Sequence, residues 1–487
     1  MIGTYDEALD FLEGFIGKII FRVDPKTIKE HDPLQRMRVL LDLLDNPQNK
    51  FKSVLIGGTS GKGSTAYLIS HILKIAGYKT GLTISPHLQR VNERLQINGR
   101  QIPNEKFTDM VSSLVQTIEL MKKMKVGEPS YFEILIAMAF LYFVQEKVDI
   151  AVVEVGMGGE YDATNTLNPL IAVLTNVTLD HTNILGKTVQ KIAKTKAGII
   201  KSSSHPLNAS SKPNGNTRLA NENRSVSTAA LLSNHDYEEI VKSSSRGEAR
   251  SSIVITGVKQ SSVIKIVESR CKEVGAKLYR LGKDFRLTKF EVSLLGDYQK
   301  ENASLAIETV LQLRKFGFKV SENEIGQALK TAFFPGRFEV VRLALLAHHK
   351  ISSTLILDGA HNPTKMRAFL ISLKKLFPKE KKIFVVGFKN DKEVRGMFKQ
   401  IVKVADYIVA TEFRAKTDMN VSASAEAESI RYEVLSMKYR GKIFVERDSK
   451  KALKKALSLA AIEQLSNRTM VIVTGSLYLV GEIRSML

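Results

Sequence analysis

Short apolar runs alternate with amphipathic stretches along almost the whole chain. In its first part, residues 54–56, 80–84, 150–155 and 171–176 read as strands, rich in Val and Ile and lacking polar alternation. Residues 65–75, 105–124, 132–145 and 189–197 repeat apolar positions at helical spacing. Strands that are apolar at every position are buried on both faces, and the intervening helices are the covers. The pattern predicts an α/β protein with a parallel, doubly wound sheet. After residue 335 the alternation restarts. Residues 355–357, 383–386, 407–410, 443–445 and 470–474 read as strands, and 363–376, 392–404, 423–437 and 450–465 as the helices between them. This predicts a second, smaller doubly wound domain. A helical pattern stops at Phe334-Pro335-Gly336, so the domains are expected at 1–333 and 334–487.

Residues 202–252 break the pattern. Serine fills 13 of these 51 positions, there is no Phe or Trp, and 6 basic residues nearly balance 5 acidic ones. Such a composition cannot bury enough apolar area to offset its ordering entropy. A disordered surface insertion is expected, with a helical turn near 229–232; a serine-rich regulatory segment is the functional alternative.

Composition narrows the class. At ~100–200 residues per domain, two or three domains are expected. The single cysteine, Cys271, excludes an intrachain disulfide and any cysteine-rich metal site. No apolar stretch reaches the ~18 residues that cross a bilayer, and residues 1–7 lack the basic-then-apolar order of a signal peptide. A soluble, cytoplasmic protein is expected. The net charge of +22, from 72 Lys+Arg against 50 Asp+Glu, favours polyanionic partners. The basic residues are spread along the chain and no base-stacking signature accompanies them. Nucleic acid is therefore a weaker candidate than ATP with an acidic small substrate.

Candidate chemistry starts at Gly58-Thr59-Ser60-Gly61-Lys62-Gly63-Ser64-Thr65, which follows the apolar run 54–56. Three glycines let backbone N–H groups converge on one point, and a helix starting at Gly63 or Ser64 aims its positive end there. Lys62 adds a full charge; Ser64 and Thr65 offer hydroxyls to a phosphate or a metal. A ligand-free tight turn is the bland alternative. The usual loop places Ser or Thr directly after Gly-Lys. Gly63 intervenes here, which points away from motor ATPases and small GTPases.

Further blocks follow in order: Ser85-Pro86-His87-Leu88 with Glu93-Arg94 and Ile97-Asn98-Gly99; Val153-Glu154-Val155-Gly156-Met157-Gly158-Gly159 leading to Asp162-Ala163-Thr164-Asn165; Leu179-Asp180-His181; Lys196-Ala197-Gly198; Pro335-Gly336-Arg337; Asp358-Gly359-Ala360-His361-Asn362-Pro363; and the run from Gly475 to Gly481. Together with Gly58–Thr65 they resemble the folylpolyglutamate synthase and dihydrofolate synthase family, a branch of the Mur-ligase superfamily, over nearly the whole chain outside 202–252.

The resemblance implies an N-terminal P-loop-type ATP-binding domain, a C-terminal Rossmann-like domain and ATP-dependent addition of L-glutamate to folate, dihydropteroate or both. It implies ATP contacts from Gly58 to Thr65, with Lys62 catalytic. Arg337 would reach the phosphates, Asp358 the ribose and Asn302 the adenine, while His361 would lie near the γ-phosphate. Ser85 and Glu154 would hold a first Mg²⁺; His181 would help hold a second. Lys196, carbamylated by CO₂, would supply an anionic oxygen to that second ion. Asp162, His87 and Arg94 would contact the pterin substrate. Tyr298 and Phe413 depart from the family's usual His and Pro. Family precedent is a monomer. Two rivals stay open: a Mur ligase with another acidic substrate, disfavoured because the phosphate-loop domain comes almost first, and a nucleic-acid-dependent ATPase.

Overall fold

Strand β1 (Ser53–Gly57) is buried at all five positions, and it lies in the middle of a sheet. It pairs in parallel with β5 (Ile150–Glu154) on one side and β6 (Ile171–Leu174) on the other; Ile56 stands opposite both Glu154 and Val173. The computed structural model describes residues 2–17, 34–202, 252–343, 353–390, 393–416, 418, 421–462 and 469–487. Within them the first sheet has the order β4-β3-β2-β5-β1-β6-β7-β8. Here β2 is Thr80–Thr83, β3 Gln96–Ile97, β4 Arg100–Gln101, β7 Ile253–Thr256 and β8 Lys277–Arg280. Six strands run parallel; β3 and β4 add an antiparallel edge. Asn98 and Gly99 both take positive φ (50° and 72°), as a two-residue hairpin turn requires.

Successive residues face opposite sides of the sheet, and the core divides accordingly. Leu55, Val153, Leu174 and Val254 point into one layer, against helices Asn104–Lys122, Tyr131–Gln145 and Ser261–Val274. Val54, Ile56, Val152, Val173 and Ile255 point into the other, against Lys62–Ile75, Asp297–Leu313 and Glu322–Thr331. The second sheet has the order β15-β12-β11-β16-β10-β9. Its parallel strands are β10 (Ser353–Asp358), β11 (Lys381–Val386), β12 (Tyr407–Ala410), β15 (Lys442–Val445) and β16 (Thr469–Thr474). Strand β9 (Glu339–Leu343) lies antiparallel at the edge. Both halves are thus doubly wound α/β layers, as the apolar runs predicted, with antiparallel edges that they did not reveal.

Other differences have local causes. The helix expected to begin at Gly63 or Ser64 begins at Lys62, because Gly61 takes φ +82° and caps it. The helix expected from 423 begins at Ala427, because Val421–Ala423 is used as strand β14 against β13 (Arg414–Lys416). Helix Val394–Ile401 is shorter than the expected 392–404. Residues 203–251, and with them the turn expected near 229–232, lie outside the described residues. Ser252, read with that segment, belongs to the fold: it is buried and its Oγ donates to the Lys201 carbonyl. Strand β7 follows at once. Among the described residues, no helix is long and apolar enough to cross a membrane.

Candidate active site

The carboxyl end of β1 opens into a loop that only glycine can build at two points. Gly58 and Gly61 have φ of +139° and +82°; a Cβ there would lie 1.9 Å from Thr175 Oγ1 and 2.3 Å from Asn302 Oδ1, respectively. The turn after β6 holds the loop. The Asn176 carbonyl accepts from Thr59 N and its Oδ1 from Ser60 N, both at 2.9 Å. Thr175 Oγ1 donates to the Ser60 carbonyl (2.7 Å), and Thr59 Oγ1 accepts from Thr178 N (3.1 Å). Sequence reading missed Thr175 and Asn176; their only signal was two polar residues directly after an apolar strand. With the frame satisfied, the buried hydroxyls of Ser60, Thr65 and Thr178 have no partner. They surround the start of helix Lys62–Ile75, where the helix's own N–H groups also lack acceptors.

Glu154 ends the neighbouring strand and is buried. Its Oε2 accepts from Ser85 N (2.9 Å), and Lys62 Nζ lies 3.9 Å from Oε1. A side chain at residue 63 would crowd it, since a Cβ there would lie 3.2 Å from Glu154 Oε2. Burial pushes the Glu154 pKa up, while Lys62, the Ser85 amide and Arg337 pull it back. Lys196 reaches the start of the loop. It is buried near the end of helix Val189–Ala197, and Nζ donates to the Gly58 carbonyl at 2.9 Å. Burial, and then the charge of Lys62, lower its pKa to about 7. An unprotonated amine is therefore present at neutral pH, the form that adds to CO₂.

The donor chemistry fits a hard cation at Ser85 and Glu154, which are adjacent. The second expected set is less gathered. Among the described residues no group of three or more His, Cys, Asp or Glu side chains is placed to hold a metal. His181 takes φ +48°, and its Nε2 stands 4.0 Å from Asp180 Oδ1.

The second domain faces this site from the ends of its own strands. Asp358 closes β10; Oδ1 accepts from Ala360 N and Oδ2 from Phe338 N, each at 2.9 Å. Burial raises its pKa to about 6 against the pull of Arg337. Tyr298 lies beside the same carboxylate, whose charge adds to burial in holding the phenol pKa well above its ordinary value. His361 Nδ1 pairs with the Gly359 carbonyl (2.7 Å), leaving Nε2 to accept from Lys365 Nζ (3.0 Å). Asn362 Nδ2 reaches across to Asp180 Oδ2 at 3.4 Å. Asn302 is buried against the phosphate loop and donates to Gln299 Oε1 (2.8 Å).

The loop from Ser85 to Arg94 forms the rest of the interface. Glu93 bends it by accepting from the amides of Leu88, Gln89 and Arg90 (2.6–3.0 Å). Arg94 is buried. Its Nε donates to His87 Nδ1 (3.0 Å), and its two terminal nitrogens clamp Asp418 at 2.9 and 2.6 Å. Burial opposes the Arg94 charge, but Asp418 outweighs it and raises the pKa. Burial, then Arg94, push His87 down to about 3, so its ring is neutral. Asp418 comes from the second domain and carries no sequence signal. Leu88 packs on the helix Leu477–Arg484 so closely that a Cβ at Gly481 would lie 1.8 Å from the Leu88 carbonyl oxygen.

Two family models match the chain: the Mur ligase middle domain over residues 56–310 and the dihydrofolate synthetase C-terminal domain over 341–486. The Bacillus subtilis dihydrofolate synthase/folylpolyglutamate synthase is 30% identical across 100% of both chains. The chain belongs to the folylpolyglutamate synthase/dihydrofolate synthase family. The folylpolyglutamate synthase of Lacticaseibacillus casei is 28% identical, with 99% of each chain covered. A solved Mycobacterium tuberculosis folylpolyglutamate synthase, complexed with ADP, superposes with a TM-score of 0.78 at 25% identity, covering 99% of this chain and 98% of that one.

Within this family member, the loop Gly58 to Thr65 is flanked by Lys196 at Gly58, Asn302 at Gly61 and Glu154 at Lys62 and Gly63, with Ser85 on Glu154. The expected substrate contacts are differently placed. Asp162 is buried and engaged by its own turn: Oδ2 accepts from Met157 N (2.8 Å), and Oδ1 from the amide and hydroxyl of Thr164 (3.1 and 2.5 Å). His87 and Arg94 are engaged with each other and with Asp418. The departure at Tyr298 stands beside Asp358 of the second domain.

Proposed function

We infer that this chain joins L-glutamate to the carboxylate of a folate-type pterin at the expense of ATP. One observation carries the reading: three buried, unpartnered hydroxyls and a desolvated lysine surround the phosphate loop, beside a buried Glu154. A polyphosphate supplies acceptors for the hydroxyls and a partner for the Lys62 ammonium, and a cation between it and Glu154 would offset the carboxylate. A carboxylate is inert to an amine because its leaving group would be oxide. Transfer of the γ-phosphoryl group to a carboxylate oxygen releases ADP and gives an acyl phosphate. The glutamate amine attacks the acyl carbon, phosphate departs with the C–O bond electrons, and the nitrogen loses a proton.

The chain's part is to hold two polyanions in contact and stabilise the charge that passes between them. Loop amides and the helix start bind the phosphates, and Lys62 neutralises them. Arg337 comes to the same phosphates from the second domain, with Asp358, Asn302 and His361 on the ribose, adenine and γ-phosphate. Ser85 and Glu154 would hold one Mg²⁺, and Lys196, as its carbamate, would help His181 with a second. When bound, these ions draw charge from the transferring phosphoryl group. Asp162, His87 and Arg94 are assigned to the pterin side. The reading includes a monomeric enzyme in the cytoplasm, which light scattering and cell fractionation would check.

The test is purified protein with ATP, Mg²⁺ and L-glutamate, offered dihydropteroate or tetrahydrofolate in parallel. Product masses one glutamate heavier, with ADP formed in step, are expected. ATP hydrolysis stimulated by DNA or RNA, with no amide product, would overturn the reading.

A further inference from the structure

Gly63 is where the phosphate loop departs from the usual spacing, and its missing side chain makes room for the Glu154 carboxylate. Phe334 is its other neighbour: a Cβ on Gly63 would touch its Cε1 at an ordinary contact distance of 3.6 Å. Phe334 belongs to the linker between the two domains. Four residues along the helix from Gly63, Tyr67 lies face to face with the same ring, with centroids 5.0 Å and planes 1° apart. Four residues further, His71 stacks on Tyr67 at 5.5 Å and 10°. Residues four apart share one helix face, so the three form a ladder along it. The guanidinium of Arg337 also packs on Phe334, 5.5 Å from the ring centroid. Two polar contacts close the seam: Phe333 N donates to the Tyr67 hydroxyl (2.9 Å), and His71 Nε2 meets Thr331 Oγ1 (3.1 Å).

We propose that Phe334 is a positioning residue for Arg337, with Tyr67 as its platform. The stack fixes the linker to the nucleotide-binding helix and so sets where the guanidinium sits, which we assign to the terminal phosphate of ATP. The claim rests on the reading of Arg337 as a phosphate ligand. Asp358 and Glu154 both attract Arg337, but point attraction gives a long side chain no direction. An aromatic face does, because a guanidinium lies flat on it. The Tyr67 hydroxyl adds registry: holding Phe333 N, it sets where along the helix the linker attaches.

The experiment compares Phe334→Leu, Phe334→Trp, Tyr67→Leu and Tyr67→Phe with the wild-type chain. It measures kcat and KM for ATP, the affinities for ADP and for β,γ-methylene-ATP by calorimetry, and Tm. Misplaced alignment predicts that Phe334→Leu and Tyr67→Leu lower kcat about tenfold or more. The same variants should weaken the methylene analogue about fivefold and leave ADP within about twofold, because only the terminal phosphate loses its partner. Phe334→Trp keeps a ring and should retain most of the rate; Tyr67→Phe keeps the ring but loses the hold on Phe333 N, and should fall between Tyr67→Leu and the wild type. The proposal falls if Phe334→Leu or Tyr67→Leu keeps wild-type kcat and analogue affinity. It falls equally if both nucleotides weaken alike, if a lowered Tm accounts for the loss, or if Phe334→Trp is no better than Phe334→Leu. A wild-type chain that joins no glutamate would end the functional reading; the two nucleotide affinities would then decide this inference alone.

Discussion

The two loops that meet at the domain interface treat their polar groups in opposite ways. Around Gly58–Thr65 the hydroxyls of Ser60, Thr65 and Thr178 are buried without partners, and Lys196 is buried with its pKa lowered. Along residues 85–94, Glu93 satisfies three amides, and Arg94 is saturated by His87 and Asp418. An unpartnered buried polar group costs ~1–3 kcal/mol, which a fold tolerates where a ligand completes the set. The first loop therefore keeps polar groups that a bound phosphate can satisfy. The second, in this conformation, is organised to join two domains. Substitutions should consequently register chiefly in turnover at the first loop, whereas breaking the Arg94–Asp418 pair of the second should register in stability as well.

The largest effects should come from Lys62→Ala and Glu154→Ala. Each removes a charge at the proposed point of phosphoryl transfer and should lower kcat/KM by ~10³ or more, with unchanged circular dichroism. Folded variants that ligate at wild-type speed would break the comparison at its strongest point. Next is Lys196→Ala, with a loss of ~10² expected from the removal of one positioned group.

Lys196 also sharpens the pH dependence. Its pKa is depressed from 10.5 to about 7, so below pH 7 the amine carries a proton and cannot add to CO₂. Activity should rise through pH 7, and bicarbonate should raise it further. Between about pH 7 and 10.5 the unfolded chain holds a proton that the folded chain lacks. Stability therefore gains from rising pH in that window. Lys196→Met should remove that slope in urea titrations taken at several pH values.

Smaller effects are expected at the second loop, and they are asymmetric. Asp418→Ala strands the buried Arg94 charge and should cost ~3 kcal/mol in urea unfolding. Arg94→Ala leaves a carboxylate with 25% exposure that can rehydrate, so it should cost less. The reverse order would mean that Asp418 matters for something other than pairing. Smallest is Ser60→Ala. It deletes an unpartnered hydroxyl, so Tm should hold or rise slightly, while KM for ATP rises ~3-fold, about the value of one modest hydrogen bond.

Strands and helices that pack a continuous apolar face were legible in the sequence; 189–197 and 363–376 match the observed helices end to end. Short edge strands such as Gln96–Ile97 and Arg414–Lys416 were not, because two or three residues make no periodicity. Strand β7 was hidden by its place directly after the serine-rich segment. The glycine loop and the acid beside it were legible because the glycines and lysine are consecutive and the acid ends an apolar strand. The loop's frame, Thr175 and Asn176, was not, since a backbone-holding Asn looks like any turn residue. Asp418 could not be foreseen at all: its partner lies 324 positions away in the chain, and nothing local marks it. The engagement of Asp162 by its own turn is equally a three-dimensional fact.

The 1.8 Å that a methyl on Gly481 would leave to the Leu88 carbonyl has a practical side. At that spot main chain rests on main chain, with no flexible atom to step aside. Gly481→Ala would act as a doorstop, prying the lobes apart without touching a single reacting group. It is thus a handle for holding the enzyme ajar and asking what each half does unaided.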